Sequence, residues 1–318
     1  MELNSLYYFT ELAKDLHVTR TAERLYISQQ TLSNHIARLE EHYGAKLFYR
    51  KPIFSLTPEG EQVLAAAKVM LREESNLTDI LADMEQQERG VLRFGASTLR
   101  LNSSLPFILP AFTARYPKVE IRLTDTISAK LTGPVLNGQL DLAVTVFQKP
   151  DHRLTVERLM DDQVYLCVSD DLLRKYYGEE AEQLKQKARR GALVADFARL
   201  PFCMLENRIG ELVYECFAEA MVNPWAYITS TYTQISATIC FQGLAAAFVP
   251  QVCLAGMRDF IPPDLNIFPM LWHGEPLVQP VSLIHLKERY LPRPFRYFRE
   301  LLANHFRDVE QVNFTRIV

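Results

Sequence analysis

The sequence predicts a mixed α/β protein in three parts: a winged helix-turn-helix over residues 1–60, a long linker helix over 61–89, and a two-lobed α/β region over 90–318. Three observations predict it. Residues 18–41, VTRTAERLYISQQTLSNHIARLEE, space their apolar side chains as two short helices around a tight turn do. Residues 61–87 contain no Pro or Gly and repeat apolar side chains every seven positions. From residue 91 to about 308, strand-like and helix-like segments alternate, the pattern of parallel sheets with crossover helices.

In the first part, Ala22 is small where two helices must cross closely, and Leu25, Ile27, Leu32 and Ile36 fall where the pair must face a core. Tyr26, Ile27 and Ser28 break the first helix, and the Ser28 hydroxyl can accept from the orphan amides of the second. The second helix points Gln29, Gln30, Thr31, Ser33, Asn34 and Arg38 outward. An amphipathic hairpin with an ordinary solvated face would carry Lys and Glu there. Short amides and hydroxyls are instead the groups that reach base edges and phosphates in a major groove. Gly44 ends this helix. Residues 46–49 and 53–56 flank Arg50, Lys51 and Pro52, which reads as a two-stranded wing with a basic tip for phosphates or the flanking minor groove.

In the second part, Val63, Met70, Leu77 and Met84 mark a heptad, with Ala66, Ala67, Ile80 and Leu81 beside them and Glu73 and Glu74 interrupting. A helix of this length with one apolar seam reads as a two-stranded coiled-coil interface; packing on its own domain is the alternative. Gly90 marks the boundary. In the third part, strands are expected at residues 91–95, 119–124 and 140–147, with helices at 104–116 and up to 137 between them. The alternation resumes at 164–168 and continues through Ile228 and 245–249 to a strand at 279–286 and a closing helix at 293–306. This places one lobe at about 90–163 with 269–318 and the other at about 164–268. The Lys- and Glu-rich run 174–190 reads as a solvated helix.

Composition excludes several classes. The chain has 318 residues, 48% hydrophobic and 23% charged, with net charge −3. That is ordinary for a globular protein and gives no bulk basic signal. Residues 1–60 carry as many Lys and Arg as Asp and Glu. Nucleic-acid binding must therefore rest on local placement and on the doubled contacts of a dimer. No apolar run approaches the roughly 18 residues of a membrane span, and no basic segment precedes an apolar one at the N-terminus; a cytoplasmic protein without membrane contact is expected. The five cysteines, at 167, 203, 216, 240 and 253, show neither metal spacing nor CxxC and sit in apolar contexts. No Gly-rich phosphate loop, GxSxG, HExxH or Ca-binding loop is present, so neither an enzyme nor a cofactor is expected. His285, in an apolar strand, reads as a core residue.

The chain resembles the LysR-type transcriptional regulators of bacteria. The matching residues in the first part are Leu6, Phe9, Ala22, Leu25, Ser28, Gln29, Leu32, Ser33, Ile36, Leu39, Glu40, Gly44, Leu47, Phe48, Arg50, Leu56, Thr57 and Gly60. Gln30 stands where a Pro is usual, Thr21 where an Ala is, and Asn34 where an Arg is frequent, and the wing is short. Further on, Gly95, Pro106, Phe112, Tyr116, Pro117, Gly138, Asp141, Leu142, Ala143, Val249 and Pro250 match, with Ala245 at a common Gly position. The resemblance implies a periplasmic-binding-protein-like effector domain with two lobes and a linker helix that forms homodimers or homotetramers. It also implies double-stranded DNA as partner, with RNA polymerase a further candidate.

Two sets of site residues follow. The DNA-binding set is Thr19, Arg20, Ser28, Gln29, Gln30, Thr31, Ser33, Asn34, Arg38, Arg50 and Lys51. For the effector, open α/β sheets bind small molecules at strand C-termini, where helix N-termini offer amides. Ser97, Thr98, Leu99 and Arg100 follow the first strand, Ser128 the second, and Thr145 ends the third. Asn207, Thr231 and Tyr232 occupy equivalent places in the second lobe, and in the family these positions surround the inter-lobe cleft. The alternative for each hydroxyl is a plain helix cap. With Arg100 as the nearby cation and no carboxylate evident, a small organic anion is the expected effector. The competing readings are a redox-responsive regulator of the same fold and a stand-alone small-molecule-binding protein.

Overall fold

Helix boundaries near the N-terminus are set by groups that satisfy the helices' own orphan amides and carbonyls. A computed structural model describes residues 3–84, 89–146 and 151–314. It falls into two units, Met1–Gln87 with Glu288–Pro292, and Glu88–Lys287 with Arg293–Val318. The first contains α1 (Leu3–Asp15), α2 (Val18–Arg24), α3 (Gln29–Tyr43), β1 (Phe48–Tyr49), β2 (Ser55–Leu56) and α4 (Pro58–Met84). After α2, the Tyr26 amide donates to the Glu23 carbonyl and the Ile27 amide to that of Ala22, closing the helix with Tyr26 in the left-handed region at φ 55°. Ser28 then caps α3 by accepting from the Thr31 amide at 3.0 Å, and Gly44 ends it at φ 64°. Leu6, Phe9, Leu12, Ala22, Leu32, Ile36 and Leu39 form the core.

Gly60 is required by a close approach. A Cβ there would stand 2.1 Å from the Leu47 carbonyl oxygen. Its amide donates to the Thr57 hydroxyl at 2.9 Å, and that hydroxyl donates to the Lys46 carbonyl at 2.6 Å. The wing is thereby fastened to the start of α4. Val63, Leu64, Ala67 and Leu71 pack into the helix-turn-helix core. The N-terminal part of the expected seam, Val63 and Ala67, is thus not free for a partner, because the small domain needs α4 to close its core. Met70, Leu77, Ile80, Leu81 and Met84 are exposed. On another stripe of α4 the segment Glu288–Pro292 lies against polar residues. Asn76 Oδ1 accepts from Arg289 at 2.8 Å and from the Tyr290 amide at 3.1 Å, Arg289 pairs with Asp79 at 2.6 Å, and the Tyr290 phenol donates to Asp83 at 2.7 Å. The helix's expected end near Gln87 lies outside the described residues.

The second unit begins with β3 (Arg89–Ala96), α5 (Thr98–Arg115), β4 (Lys118–Asp125), a 3-10 turn at Ser128–Lys130, α6 (Thr132–Leu136) and β5 (Leu142–Thr145). β3 pairs parallel with both β4 and β5. The expected α/β alternation is present, with differences. α5 starts at Thr98, six residues before the expected start, and carries Pro106 and Pro110 inside it. Phe147, expected in the third strand, lies outside the described residues. Next come β6 (Leu154–Ser169), α7 (Asp170–Tyr177), α8 (Ala181–Ala188), β7 (Pro201–Leu205), α9 (Arg208–Glu219), β8 (Trp225–Ser230), α10 (Thr233–Phe241), β9 (Ala246–Pro250) and α11 (Gln251–Gly256). β10 (Leu265–Pro269), β11 (Leu271–Trp272), β12 (Glu275–Pro276), β13 (Val278–Leu286) and α12 (Arg293–Glu310) complete the chain. The charged run at 174–190 is two short helices rather than one, parted at Gly178 with φ 53°.

The sheet order is β4-β3-β5-β13-β6-β9-β7-β8, with β10 also on β6. β6 pairs antiparallel with β13 over residues 154–163 and with β9 and β10 beyond. Its partners change at Gln163 and Val164, inside one unbroken strand. Phe298 meets Phe94 and Phe112 edge-on in one core; in the other Phe202 stacks on Phe248 and Phe217 meets both edge-on.

Candidate DNA-binding face and inter-lobe site

The α3 face is built by satisfaction from within. Its amides are capped by Ser28 and its last carbonyls by the left-handed Gly44, so Gln29, Gln30, Thr31, Ser33, Asn34 and Arg38 stand in solvent. The Thr31 hydroxyl shares a 2.8 Å hydrogen bond with that of Ser28, which ties both to capping. Arg20 is exposed and donates to the Asp15 carbonyl at 2.7 Å, and Thr19 is half-buried. Arg50 and Lys51 are exposed at the wing. Glu40, on the core side of α3, sets the wing's position. It accepts from the Leu47 amide at 3.0 Å and from Lys46 at 2.7 Å. Burial alone would raise its carboxyl, but these two donors hold it below the usual range. Arg24 joins α2 to α1 through Glu11 and Asp15, and this hydrogen bond keeps Asp15 below the usual range as well.

In the second unit the expected effector residues separate. Ser97 occupies the N-cap of α5 without capping it, and accepts instead from Arg100 at 3.3 Å. The Thr98 hydroxyl donates to Asp125 at 2.6 Å. Leu99 is buried. Ser128 begins a single 3-10 turn rather than an α-helix, and its carbonyl accepts from the fully buried Thr145 at 3.5 Å. Asn207 is a helix cap: its Oδ1 accepts from the Ile209 and Gly210 amides, and its amide donates to the Thr231 carbonyl at 3.3 Å. Thr231 and Tyr232 are exposed. Two features weigh against the expected anion preference. A carboxylate, Asp125, stands at the end of β4 against Thr98, and Arg100 is buried and paired with Asp162.

Arg100 lies only 5% exposed and pairs with Asp162, which is fully buried, at 3.3 Å. It also donates to Gln279 Oε1 at 3.4 Å. Asp162 Oδ1 accepts from the Val252 amide at 2.9 Å, capping α11. The Arg100 Nε, the Ser104 hydroxyl and the Gln279 amide nitrogen are buried without partners. Burial pushes the Asp162 carboxyl up to about 6, against the pull of Arg100 and the α11 amides; burial likewise draws Arg100 down, opposed by Asp162. Sequence reasoning missed Asp162, Gln279 and Asp125. Asp162 is adjacent to Asp161 in a strand that also carries Glu157, Arg158 and Gln163, so no local pattern marks it as the buried one.

The cysteines are all buried thiols. Burial pushes Cys167 and Cys240 well up, Cys253 to about 12 and Cys216 to about 11. Thiols held protonated do not supply the thiolate that redox sensing needs. Among the described residues no group of His, Cys, Asp and Glu could hold a metal ion, and no helix is long and apolar enough to cross a membrane.

Comparison with known proteins adds the following. A family model described as the LysR substrate binding domain matches residues 85–307, and one described as the bacterial regulatory helix-turn-helix protein, lysR family, matches residues 3–61. The chain is 27% identical over 314 residues to the HTH-type transcriptional regulator YcgK of Bacillus subtilis, covering 95% of this chain and 94% of that one. It is 36% identical over 145 residues to the transcriptional activator IlvY of Salmonella typhimurium, covering 45% and 49%. Among solved structures, full-length CbnR in complex with its target DNA aligns with a TM-score of 0.56 at 21% identity, over 96% of this chain and 100% of that one. A full-length OxyR variant from Pseudomonas aeruginosa aligns with a TM-score of 0.67 at 19% identity, over 99% and 100%. At these identities the structural likeness speaks for the fold.

The Arg100–Asp162 pair yields a stability prediction. Asp162 titrates higher in the folded state than its unfolded value of about 3.9, so its contribution to stability is full below about pH 4 and is lost as the pH rises through about 6. Asp162→Asn removes that pH dependence but leaves a buried, unpaired Arg100, at a cost of about 3–5 kcal/mol at neutral pH. Adding Arg100→Met should restore much of the loss. Urea unfolding of both single variants and the double variant measures this, and additive losses would show that the two groups are not coupled.

Proposed function

This chain belongs to the LysR family of DNA-binding transcriptional regulators, with an effector-binding domain behind its helix-turn-helix, and we propose that it reads an operator through Gln29, Gln30, Ser33 and Asn34 while Arg50 and Lys51 hold the backbone. The observation that carries the reading is the exposed α3 face, whose amide and hydroxyl groups are spared from the helix's own capping except at Ser28 and Thr31. Thr19, Arg20 and Arg38 flank that face and act on phosphates. In this reading residues 1–60 bind DNA, 61–89 join two copies, and 90–318 take up a small polar effector in the cytoplasm. Regulation then runs through RNA polymerase at the promoter. The effector acts by binding one arrangement of the lobes better than the other. All five cysteines are buried, and burial raises the thiols of Cys167, Cys216, Cys240 and Cys253, which favours this over a redox-responsive regulator.

Gln29→Ala should cost about 1–3 kcal/mol on the operator and much less on random DNA. Replacing Arg50 or Lys51 should weaken both about equally and lower the salt slope. Fluorescence anisotropy on the two duplexes across a salt series separates these outcomes; equal losses for Gln29→Ala would remove its base-reading role.

Met70, Leu77 and Met84, exposed at heptad spacing on α4, are the surface on which a second copy is proposed to pack. Met70→Glu with Leu77→Glu should halve the sedimenting mass and reduce DNA affinity, because each Glu would bury a charge without a partner. An unchanged mass would place the oligomer contact elsewhere.

For the effector, Ser97, Thr98, Ser128, Thr231 and Tyr232 remain the proposed contacts. Titration calorimetry of the full chain against small carboxylates and uncharged hydroxy compounds should find a binder whose affinity drops in both Ser128→Ala and Thr231→Val. Unaltered affinity in the two variants would move the site.

A further inference from the structure

Tyr26 brings strain into the helix-turn-helix while its side chain stands almost wholly in solvent. It sits just past the end of α2 at φ 55°, in a turn closed by the Tyr26–Glu23 and Ile27–Ala22 hydrogen bonds. That position favours Gly or Asn, because a Cβ crowds the backbone in the left-handed region. The side chain is 96% exposed. Among the described residues its phenol has no hydrogen-bond partner and its ring no aromatic or cationic neighbour. Exposure itself follows from the turn, which aims its side chain away from the helix. The choice of a large aromatic with a donor at its tip does not follow from it. Two residues later Ser28 caps α3, and the exposed Gln29 and Gln30 follow.

We propose that Tyr26 is a positioning residue for DNA, its phenol donating to a backbone phosphate on the wall of the groove that α3 reads. This rests on the reading of α3 as the recognition helix. A tyrosine hydroxyl is among the groups that fix register on the duplex without reading sequence. It is neutral, so it displaces no counterion and leaves the salt slope alone, unlike the wing cations. Asn would relieve the turn but cannot extend a donor as far.

The test uses the full chain, a duplex that the protein itself selects from a random-sequence pool, and an unrelated duplex of the same length. Tyr26→Phe, which removes one oxygen, should weaken binding to both about tenfold, in line with a hydrogen bond to a charged acceptor, with an unchanged salt slope. Tyr26→Asn should bind as weakly yet melt no lower than the parent. Met221, the residue at φ 53° after α9 and 93% exposed, supplies the control: Met221→Asn should melt no lower and bind DNA as the parent does. Parental affinity in Tyr26→Phe would overturn the proposal, as would a lower melting temperature in Tyr26→Asn. If Gln29→Ala fails to lower discrimination between the duplexes, the recognition-helix reading falls. If Gln29→Ala behaves as expected and Tyr26→Phe binds normally, only the role of Tyr26 falls.

Discussion

The larger unit gathers four of its elements around one buried carboxylate, that of Asp162. It belongs to β6, caps α11 through the Val252 amide, and receives Arg100 from α5 beside Gln279 of β13. Four segments distant in sequence therefore share one charge in a site closed to water. Such a group is costly to bury and costlier to leave unpaired. Its elevated titration shows that the pairing does not fully compensate its desolvation. Three neighbouring donors without partners, on Arg100, Ser104 and Gln279, show the same shortfall. A close approach accompanies it: a Cβ on Gly256 of α11 would stand 3.0 Å from Ser103 of α5. The polar cluster and the helix contact thus depend on the same alignment of α5 and α11.

In the smaller unit the comparable constraint is backbone geometry. Ser28, Gly44, Thr57 and Gly60 each satisfy or make room for specific main-chain groups. Glu40 adds one charged acceptor to the same purpose. The consequence is that Gln29, Gln30, Ser33 and Asn34 stand exposed on α3 while other groups cap the helix. Tyr26 departs from that pattern: it lies at positive φ, is 96% exposed, and its side chain has no hydrogen-bond or ring partner among the described residues.

The helix-turn-helix was legible because its signals are local. A capping Ser, a terminal Gly and apolar spacing act within a few residues. The α/β alternation was legible for the same reason. What the sequence hid depends on partners far along the chain. Nothing near Arg100 announces an Asp 62 positions later. The heptad in α4 could not reveal that Val63 and Ala67 close the chain's own core while Met70, Leu77 and Met84 stay exposed. A helix is expected from Ser104, yet α5 begins at Thr98, which brings Arg100 into the helix with its side chain buried. Asp125 was overlooked because its hydroxyl partner, Thr98, lies on the neighbouring element.

The lobes share no loop hinge at the switch of strand partners. β6 runs 16 residues without interruption, and β13 lies beside its first part with a shift in register between Val281 and Ser282 that leaves Leu159 opposite no residue. A joint of this kind behaves as a flexure rather than a pin. It has no free angle: any rotation of one lobe twists hydrogen-bonded ribbon, and the resistance grows with the angle. Small displacements are then reversible and self-centring, and the ribbon is most compliant at the irregular step near Leu159.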